Sequence, residues 1–147
     1  MAFQFALAPL LRLRRSLERQ RTLQLQEANL RVARARQTLA DLERFITEAA
    51  QSDAAALAGG RTAAELQFAI LLRQQRQHYR EQLKAGLNEL ELERQRALDA
   101  YHQAYREREV LETLRARQRS AYQQEQSRRQ QLEVDASHLL QRWHRRE

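Results

Sequence analysis

Cysteine is absent from this chain of 147 residues, which also has only three glycines and one proline. Without cysteine, disulfide bonds and thiolate metal sites are excluded, and the composition suits the cytosol. No apolar run approaches the ~20 residues that a membrane-spanning helix needs. Aromatic residues make up 6% of the chain, which is little for a globular core. These absences leave long helices as the simplest architecture.

Glutamine, arginine, leucine, alanine and glutamate dominate instead, as they do in long helices and coiled coils. The hydrophobic fraction of 42% and its regular spacing argue against disorder. Charge is concentrated at the two chain ends. Residues 1–50 hold 9 basic and 5 acidic groups, residues 51–114 hold 9 and 10, and residues 115–147 hold 8 and 4. If the chain folds back on itself, its two positive ends lie toward one pole.

The opening stretch FQFALAPLLRLR admits three interpretations. A secretory signal is rejected because no Lys or Arg precedes the apolar residues and the arginines follow them. Alternation over residues 3–7 would fit a short strand, but Pro9 would stop it. Because proline is well tolerated in the first turn of a helix, a hydrophobic lead-in to a helix is the simplest interpretation.

A heptad pattern predicts the first helix over about residues 8–51. Apolar side chains there alternate spacings of three and four, which is the seam of a coiled coil. They are Leu25, Ala28, Val32, Ala35, Leu39, Leu42, Ile46 and Ala49. Upstream, Leu10, Leu13 and Leu17 join this seam only through a 4–4 step, which predicts a local change in supercoil.

One turn is predicted, at about residues 52–61, and a second helix at about residues 62–144. Gly59 and Gly60 break any helix, and Thr62 with Glu65 fits a capping box that starts the next one. The seam of the second helix is Leu83, Leu87, Leu90, Arg94, Ala97, Tyr101, Ala104, Arg108, Leu111, Arg115, Gln118 and Tyr122, then Leu132, Ala136, Leu139 and Trp143. Its three arginines must snorkel or find a partner.

The predicted fold is therefore all-α: two long helices form an antiparallel coiled-coil hairpin, a single domain over residues 1–147, and the second helix is longer. Folding about residue 56 would leave residues from about 110 onward beyond the first helix. The seam there still looks apolar, which suggests that another protein covers it. The alternative is that this extension frays or self-associates.

No enzyme site is predicted. The four histidines lack metal-ligand spacing, and the two glycines of the turn are followed by no Lys-Ser/Thr of a phosphate loop. No serine has a histidine that a helix would orient as a base. We expect a non-enzymatic protein without cofactor or metal. Interleaved Arg and Glu argue against a nucleic-acid role, and the first fifteen residues could touch an anionic membrane weakly.

The chain starts with the pattern Phe3-x-Phe5-x-Leu7-x-x-Leu10-Leu11-x-Leu13-Arg14, and its C-terminal part contains the block VLETLRARQRSAYQQEQSRRQQLEVDASHLLQR. These two blocks resemble the flagellar FliJ family. Matches to the family pattern in the second block are Glu112, Leu114, Arg117, Gln118, Tyr122, Glu125 and Arg129. The stretch Leu132-Glu133-Val134-Asp135 departs from that pattern, because its acidic pair is split. The resemblance covers nearly the whole chain.

The resemblance implies a cytoplasmic component of the bacterial flagellar type III export apparatus, peripheral at the cytoplasmic face of the inner membrane. Such proteins form a coiled coil similar to the stalk of rotary ATP synthases. Their implied partners are the ring of the FliI-like export ATPase, which they activate, the FlhA-like export gate protein, and export chaperones. The alternative is a coiled-coil adaptor or scaffold, or the equivalent stalk of a virulence type III secretion system.

Two contact sites follow from the resemblance. The ATPase-ring contact is expected at Phe3, Phe5, Leu7, Arg117, Gln118, Tyr122 and Arg129. The export-gate contact is expected beside the turn, at Leu42, Phe45, Phe68, Leu72, Gln75 and Tyr79. Leu42 is also a seam position that would simply pack the hairpin, whereas Phe45 and Phe68 lie off the seam.

Overall fold

The computed structural model describes residues 2–145 of the chain. Those residues form two α-helices and no strand: α1 at Ala8–Ala58 and α2 at Ala63–His144. The helices pack against each other and the second is longer, which confirms the predicted all-α fold class. Neither helix, as far as it is described, has a stretch long and apolar enough to cross a membrane.

The chain divides into two compact units, and each contains a segment of both helices. Unit 1 combines the residues up to Arg19 with those from Gln103 onward. Unit 2 is Gln20–His102 and contains the turn between the helices. The two chain ends therefore share one unit.

Cross-helix ion pairs give the direction of the helix segments inside each unit. The pairs are Glu18–Arg108 and Arg15–Glu112 in unit 1, and Arg36–Glu91 and Glu43–Arg80 in unit 2. In both units a lower number on α1 goes with a higher number on α2. This is the order of an antiparallel pair, as the sequence predicts.

The first residues lead into α1 without forming a strand. Residues 2–5 have no regular structure, and the amide of Ala8 donates to the carbonyl oxygen of Phe5 at 3.0 Å. Pro9 lies in the first turn of α1, where its missing N–H costs no helical hydrogen bond. The predicted hydrophobic lead-in to a helix is confirmed.

α1 runs to Ala58, about seven residues beyond the end expected from the heptad pattern. The alanine-rich stretch after residue 51 favours helix, and glycine is the first residue that stops it. The last turn tightens, because the amide of Gly60 donates to the carbonyl oxygen of Leu57 at 3.3 Å. Gly60 then adopts a φ of +78°, which glycine reaches at no steric cost.

The predicted capping box starts α2. The amide of Thr62 donates to the Glu65 carboxylate at 2.9 Å, and the amide of Glu65 donates to the Thr62 hydroxyl oxygen at 3.3 Å. Each side chain thus satisfies one amide that the helix leaves without a partner.

In unit 2 the predicted seam of α1 is confirmed, since each of its residues from Leu25 to Ala49 is at least half-buried. In unit 1 the predicted seam through Leu10, Leu13 and Leu17 is wrong at Leu10 and Leu13, whereas Leu17 is half-buried. Leu11 is 2% exposed, whereas Leu10 and Leu13 are 38% and 54% exposed. The α1 residues that pack there are Leu11 and Glu18. With Thr22, which already belongs to unit 2, they continue the heptad spacing upstream of Leu25.

The part of α2 that the N-terminal segment leaves uncovered begins further along the helix than predicted. The rings of Phe3 and Tyr122 are 5.8 Å apart, so the N-terminal segment reaches residue 122 rather than residue 110. The cause is the longer α1, which moves the fold-back point from residue 56 to the glycine turn. We call residues 123–145 the overhang; from residue 127 onward every one of them is exposed.

Candidate functional site

The core of unit 1 is built from the N-terminal segment and the middle of α2. Phe5, Leu11 and Leu111 are 8%, 2% and 9% exposed. Packed against them are Phe3, Ala8 and Leu114. Of the residues expected at the ring contact, Phe3 and Phe5 therefore lie beside α2, and Phe5 is buried.

The remaining residues of the expected ring contact lie on the surface of unit 1, apart from the half-buried Tyr122. Leu7 is 39% exposed, and the Arg129 side chain is 64% exposed. Arg117 and Gln118 are exposed on α2. The structure does not gather these side chains into one cluster. Arg117, Gln118, Tyr122 and Arg129 follow one another along α2, whereas Leu7 lies in the N-terminal segment.

Ion pairs hold the polar part of the unit 1 seam. Nε of Arg108 lies 2.5 Å from a carboxylate oxygen of Glu18, and both side chains are less than a fifth exposed. The hydrogen bond with Glu18 and its negative charge raise the pKa of the Arg108 guanidinium above its ordinary value. The predicted need of a seam arginine for a partner is confirmed here. Arg14 and Glu107 form a further cross-helix pair at 2.5 Å.

The overhang combines basic and apolar side chains. Glu125 accepts hydrogen bonds from Arg129 at 3.0 Å and Arg128 at 3.2 Å, and these bonds lower the pKa of the Glu125 carboxyl below its usual range. Large exposed apolar side chains follow at Leu132, Val134, Leu139, Leu140 and Trp143. Trp143 is 75% exposed, and tryptophan is a residue type that often anchors protein interfaces.

Unit 2 brings the expected gate-contact residues close to the turn. Phe45, Phe68 and Tyr79 are 53%, 63% and 48% exposed, while the two leucines of the set are half-buried and its glutamine is exposed. On α2 the four members of the set are spaced 4–3–4 and therefore share one face. The guanidinium of Arg76 lies 5.0 Å above the Phe45 ring, a cation–π contact between the helices.

Sequence reasoning missed four exposed apolar residues near this patch. They are Leu57, Leu66, Ile70 and Leu71, between 36% and 62% exposed. They fit no heptad, so a search for seams passes over them. For the three on α2 the signal was the run AAELQFAILL, whose apolar residues spread beyond the one face that packs.

The described residues show neither a cluster of metal ligands nor, beside the turn, an enclosed depression. Residues 2–145 contain no group of three or more His, Asp or Glu side chains that could hold a metal ion. The depressions beside Phe68, Leu72 and Tyr79 are partly open to solvent rather than enclosed. Enclosed sites that bury a small ligand have a different form.

The comparison with protein families identifies the family of this chain. A family model described as Flagellar FliJ protein matches residues 3–147. The chain belongs to the flagellar FliJ family. It is therefore a flagellar, export-associated protein, and the FliJ family is a non-enzymatic component of the export apparatus. No curated protein and no solved structure matches this FliJ chain at a significant level.

Proposed function

We propose that this FliJ protein is a stalk that binds and activates the flagellar export ATPase ring and links it to the export gate. In this role it supports flagellum assembly from the cytoplasm, peripheral at the inner membrane. Unit 1 meets the FliI-like ring, and the turn end of unit 2 meets the FlhA-like gate. Export chaperones are further partners.

The exposed overhang is the main support for the proposed contact with the ATPase ring. It is a helix with exposed leucines, an exposed tryptophan and exposed arginines, and the N-terminal segment leaves it uncovered beyond Tyr122. An isolated helix of this kind is marginal in water, so a partner that covers it stabilises it. Within this scheme Phe5 acts indirectly, because it holds the N-terminal segment on α2 rather than touching the ring.

The ring contact is tested by reversing charge at Arg117 and Arg129 together. Both side chains are exposed, so Arg117→Glu with Arg129→Glu should leave the fold intact and cut co-purification with the export ATPase at least ~10-fold. The matched control is Arg34→Glu with Arg96→Glu, which changes net charge equally on exposed sites of unit 2. Equal loss in both variants would mean a non-specific effect of charge.

The gate contact rests on exposed aromatic side chains beside the turn. Phe45→Ala with Phe68→Ala should abolish binding to the cytoplasmic part of the gate protein, since exposed aromatics are frequent interface anchors. Folding should change little, with the Arg76 contact worth about 0.5–1 kcal/mol. Leu23→Ala with Leu92→Ala is the control, because these side chains are 66% and 60% exposed elsewhere in unit 2. Full gate binding by the folded phenylalanine variant would refute this contact.

A further inference from the structure

The last part of α2 presents an apolar stripe to solvent. Its members are Leu132, Ala136, Leu139 and Trp143, all of them exposed. Spacings of four, three and four residues place them on one face of the helix, which is the spacing of a coiled-coil seam. The two leucines and the tryptophan are 58%, 65% and 75% exposed. Nearly two heptads of seam, which we call the stripe, are thus left uncovered by the described residues.

The stripe is complementary to itself when two copies run antiparallel. Leu132 of one chain then lies opposite Trp143 of the second copy, and Ala136 lies opposite Leu139. The twofold axis repeats both contacts, so four seam layers form. Every layer contains one leucine, and none contains a charged residue.

The charges that flank the stripe fit the same arrangement. Asp135 and Arg142 are seven residues apart and lie on the same edge of the stripe. Equal edges face each other in this antiparallel pair, so Asp135 of each copy meets Arg142 of the other. On the opposite edge Glu133 meets Leu140 of the second copy, which brings no like charges together. Edge charges of this kind set partner choice and orientation in coiled coils.

The paired stretch stays clear of the rest of unit 1. The N-terminal segment reaches Tyr122, and the ten residues from there to Leu132 span about 15 Å of helix. Arg129 occupies the seam position before Leu132 and pairs with Glu125 of its own helix at 3.0 Å. The apolar layers therefore end at Leu132, and neither this ion pair nor the N-terminal segment has to move.

A parallel second copy fits less well. Its edges would pair Arg128 with Glu133, but its seam would set Arg129 against its own counterpart. The N-terminal segment of each copy lies on α2 as far as Tyr122, and a parallel pair places both segments at the same end. They would stand between the two α2 helices, whose axes must come within about 8–10 Å to pack. The antiparallel pair sends the two segments to opposite ends.

We propose that two copies of this chain pair through their overhangs as an antiparallel coiled coil over residues 132–143. The stripe supplies both sides of every layer, and Asp135 with Arg142 supplies both members of each edge pair. A second copy is therefore the occupant for which the stripe is complementary. Two heptads form a small interface, of the size found in weak complexes, so we expect a dissociation constant in the micromolar range. The pairing is independent of the proposed ring contact, because it concerns the chain without the ATPase.

Sedimentation of the full chain over a range of concentrations tests the pairing. The fraction of dimer should rise with concentration, and the emission of Trp143 should shift to the blue over the same range, because Leu132 of the second copy covers the indole. Trp143 is the only tryptophan, so its emission reports this stripe alone. A monomer with constant emission up to millimolar concentration would overturn the proposal.

Truncation of one leucine locates the interface on the stripe. Leu132→Ala removes apolar contact from both outer layers and should weaken self-association at least ~10-fold. The matched control is Val134→Ala, because Val134 is 49% exposed and points away from the stripe. The control should associate as the parent does. Equal association of the two variants would show that the stripe is not the interface.

Exchange of the edge charges tests the direction of the pair. Asp135→Arg sets the new arginine against Arg142 of the second copy, and Arg142→Glu sets the new glutamate against Asp135. Each variant alone should self-associate about tenfold more weakly, because two attractive pairs become repulsive. A mixture of the two should form a heterodimer as stable as the parent dimer, since both mixed edges then join opposite charges. In a parallel pair Asp135 faces Leu140, so mixing would restore nothing.

Controls with the same change in net charge carry it on the outer face of the overhang. Ser127→Arg with Gln141→Arg, and Ser127→Glu with Gln141→Glu, should each dimerise as the parent does, since both positions are exposed and lie away from the stripe. Circular dichroism should show every variant as helical as the parent. A mixture of the edge variants that fails to regain the parent's association would overturn the antiparallel pairing. So would a dimer that survives Leu132→Ala but is lost in Phe45→Ala with Phe68→Ala, which would place the contact in unit 2.

Discussion

At the residue scale, the side chains that hold the helices of unit 1 together are not simply the most hydrophobic ones. Leu11 is buried, whereas its neighbours Leu10 and Leu13 are 38% and 54% exposed. Glu18 occupies a seam position because Arg108 of α2 neutralises it at 2.5 Å. A charged residue is tolerated there when its partner stands opposite, and that partner lies ninety residues away in the sequence.

Leu11→Ala and Leu13→Ala should separate these roles. Removing the buried Leu11 side chain creates a cavity and should destabilise the protein by about 2–4 kcal/mol. Leu13→Ala should lower the free energy of unfolding by less than about 0.5 kcal/mol, since about half of the Leu13 surface is exposed to solvent in the folded protein. Urea unfolding of both variants measures the difference. A larger loss for Leu13 than for Leu11 would contradict the assignment of the seam.

Glu18→Gln should also destabilise unit 1, by about 1–3 kcal/mol, because it removes the cross-helix charge that faces Arg108 and leaves that guanidinium only the pair with Glu109 on its own helix. The control is Glu27→Gln, which breaks the exposed i,i+4 pair with Arg31 at 2.6 Å and should cost no more than about 0.5 kcal/mol. Both free energies come from urea titrations at neutral pH. Equal costs would show that the Glu18–Arg108 pair is no stronger than a surface pair.

At the scale of elements, glycine marks where α1 ends and where α2 is weak. Gly60 has a positive φ, which side-chain-bearing residues adopt only with strain. Gly86 lies inside α2, and a Cβ added there would meet no atom within 4 Å. The same residue type is thus required at one position and dispensable at the other.

Alanine at the two glycines should give opposite results. Gly60→Ala should destabilise the turn by about 1–2 kcal/mol through left-handed strain. Gly86→Ala should stabilise α2 by up to about 1 kcal/mol, because alanine loses less backbone freedom in a helix. Melting temperatures of the two variants supply the test. A stabilised Gly60→Ala would contradict the turn geometry, and a destabilised Gly86→Ala would reveal a close contact at that site.

The elements show how far sequence alone predicts this protein. The helical fold, the capping box at Thr62 and the seam of unit 2 follow from residue spacing, since each depends on local patterns. In unit 1 the α2 part of the seam, at Ala104, Arg108 and Leu111, also followed from spacing, but the α1 part did not, because Glu18 is held there by an arginine that is distant in the sequence. The end of α1 was placed too early, because the heptad stops at residue 49 while the helix continues through alanines to Ala58. That error moved the predicted start of the overhang.

For the candidate sites, sequence placed the aromatic residues near the turn in unit 2 but missed the aliphatic ones beside them. Phe45 and Phe68 stood out because they lie off the seam. Ile70 and Leu71 were passed over, because exposure on the back of a helix depends on which face its partner covers. Phe5 was assigned to a surface contact, yet it is buried at 8% exposure against α2.

At the scale of the whole molecule, the two units divide the proposed work of the protein. Unit 1 contains both chain ends and the overhang, and unit 2 contains the turn and its exposed aromatics. Neither shows, in the residues described, the clustered ligands of a metal centre. The proposed contacts predict that the protein acts on its partners through binding, so its effect should be measured in their activity.

The turnover of the organism's own flagellar export ATPase therefore tests the account most directly. ATP hydrolysis and the population of assembled rings should be measured with and without the full chain, alongside the Arg34→Glu, Arg96→Glu control. The account predicts faster turnover and more rings with the parent and the control, and little change with Arg117→Glu, Arg129→Glu. Unchanged turnover and ring population with the folded parent chain would contradict the proposed stalk.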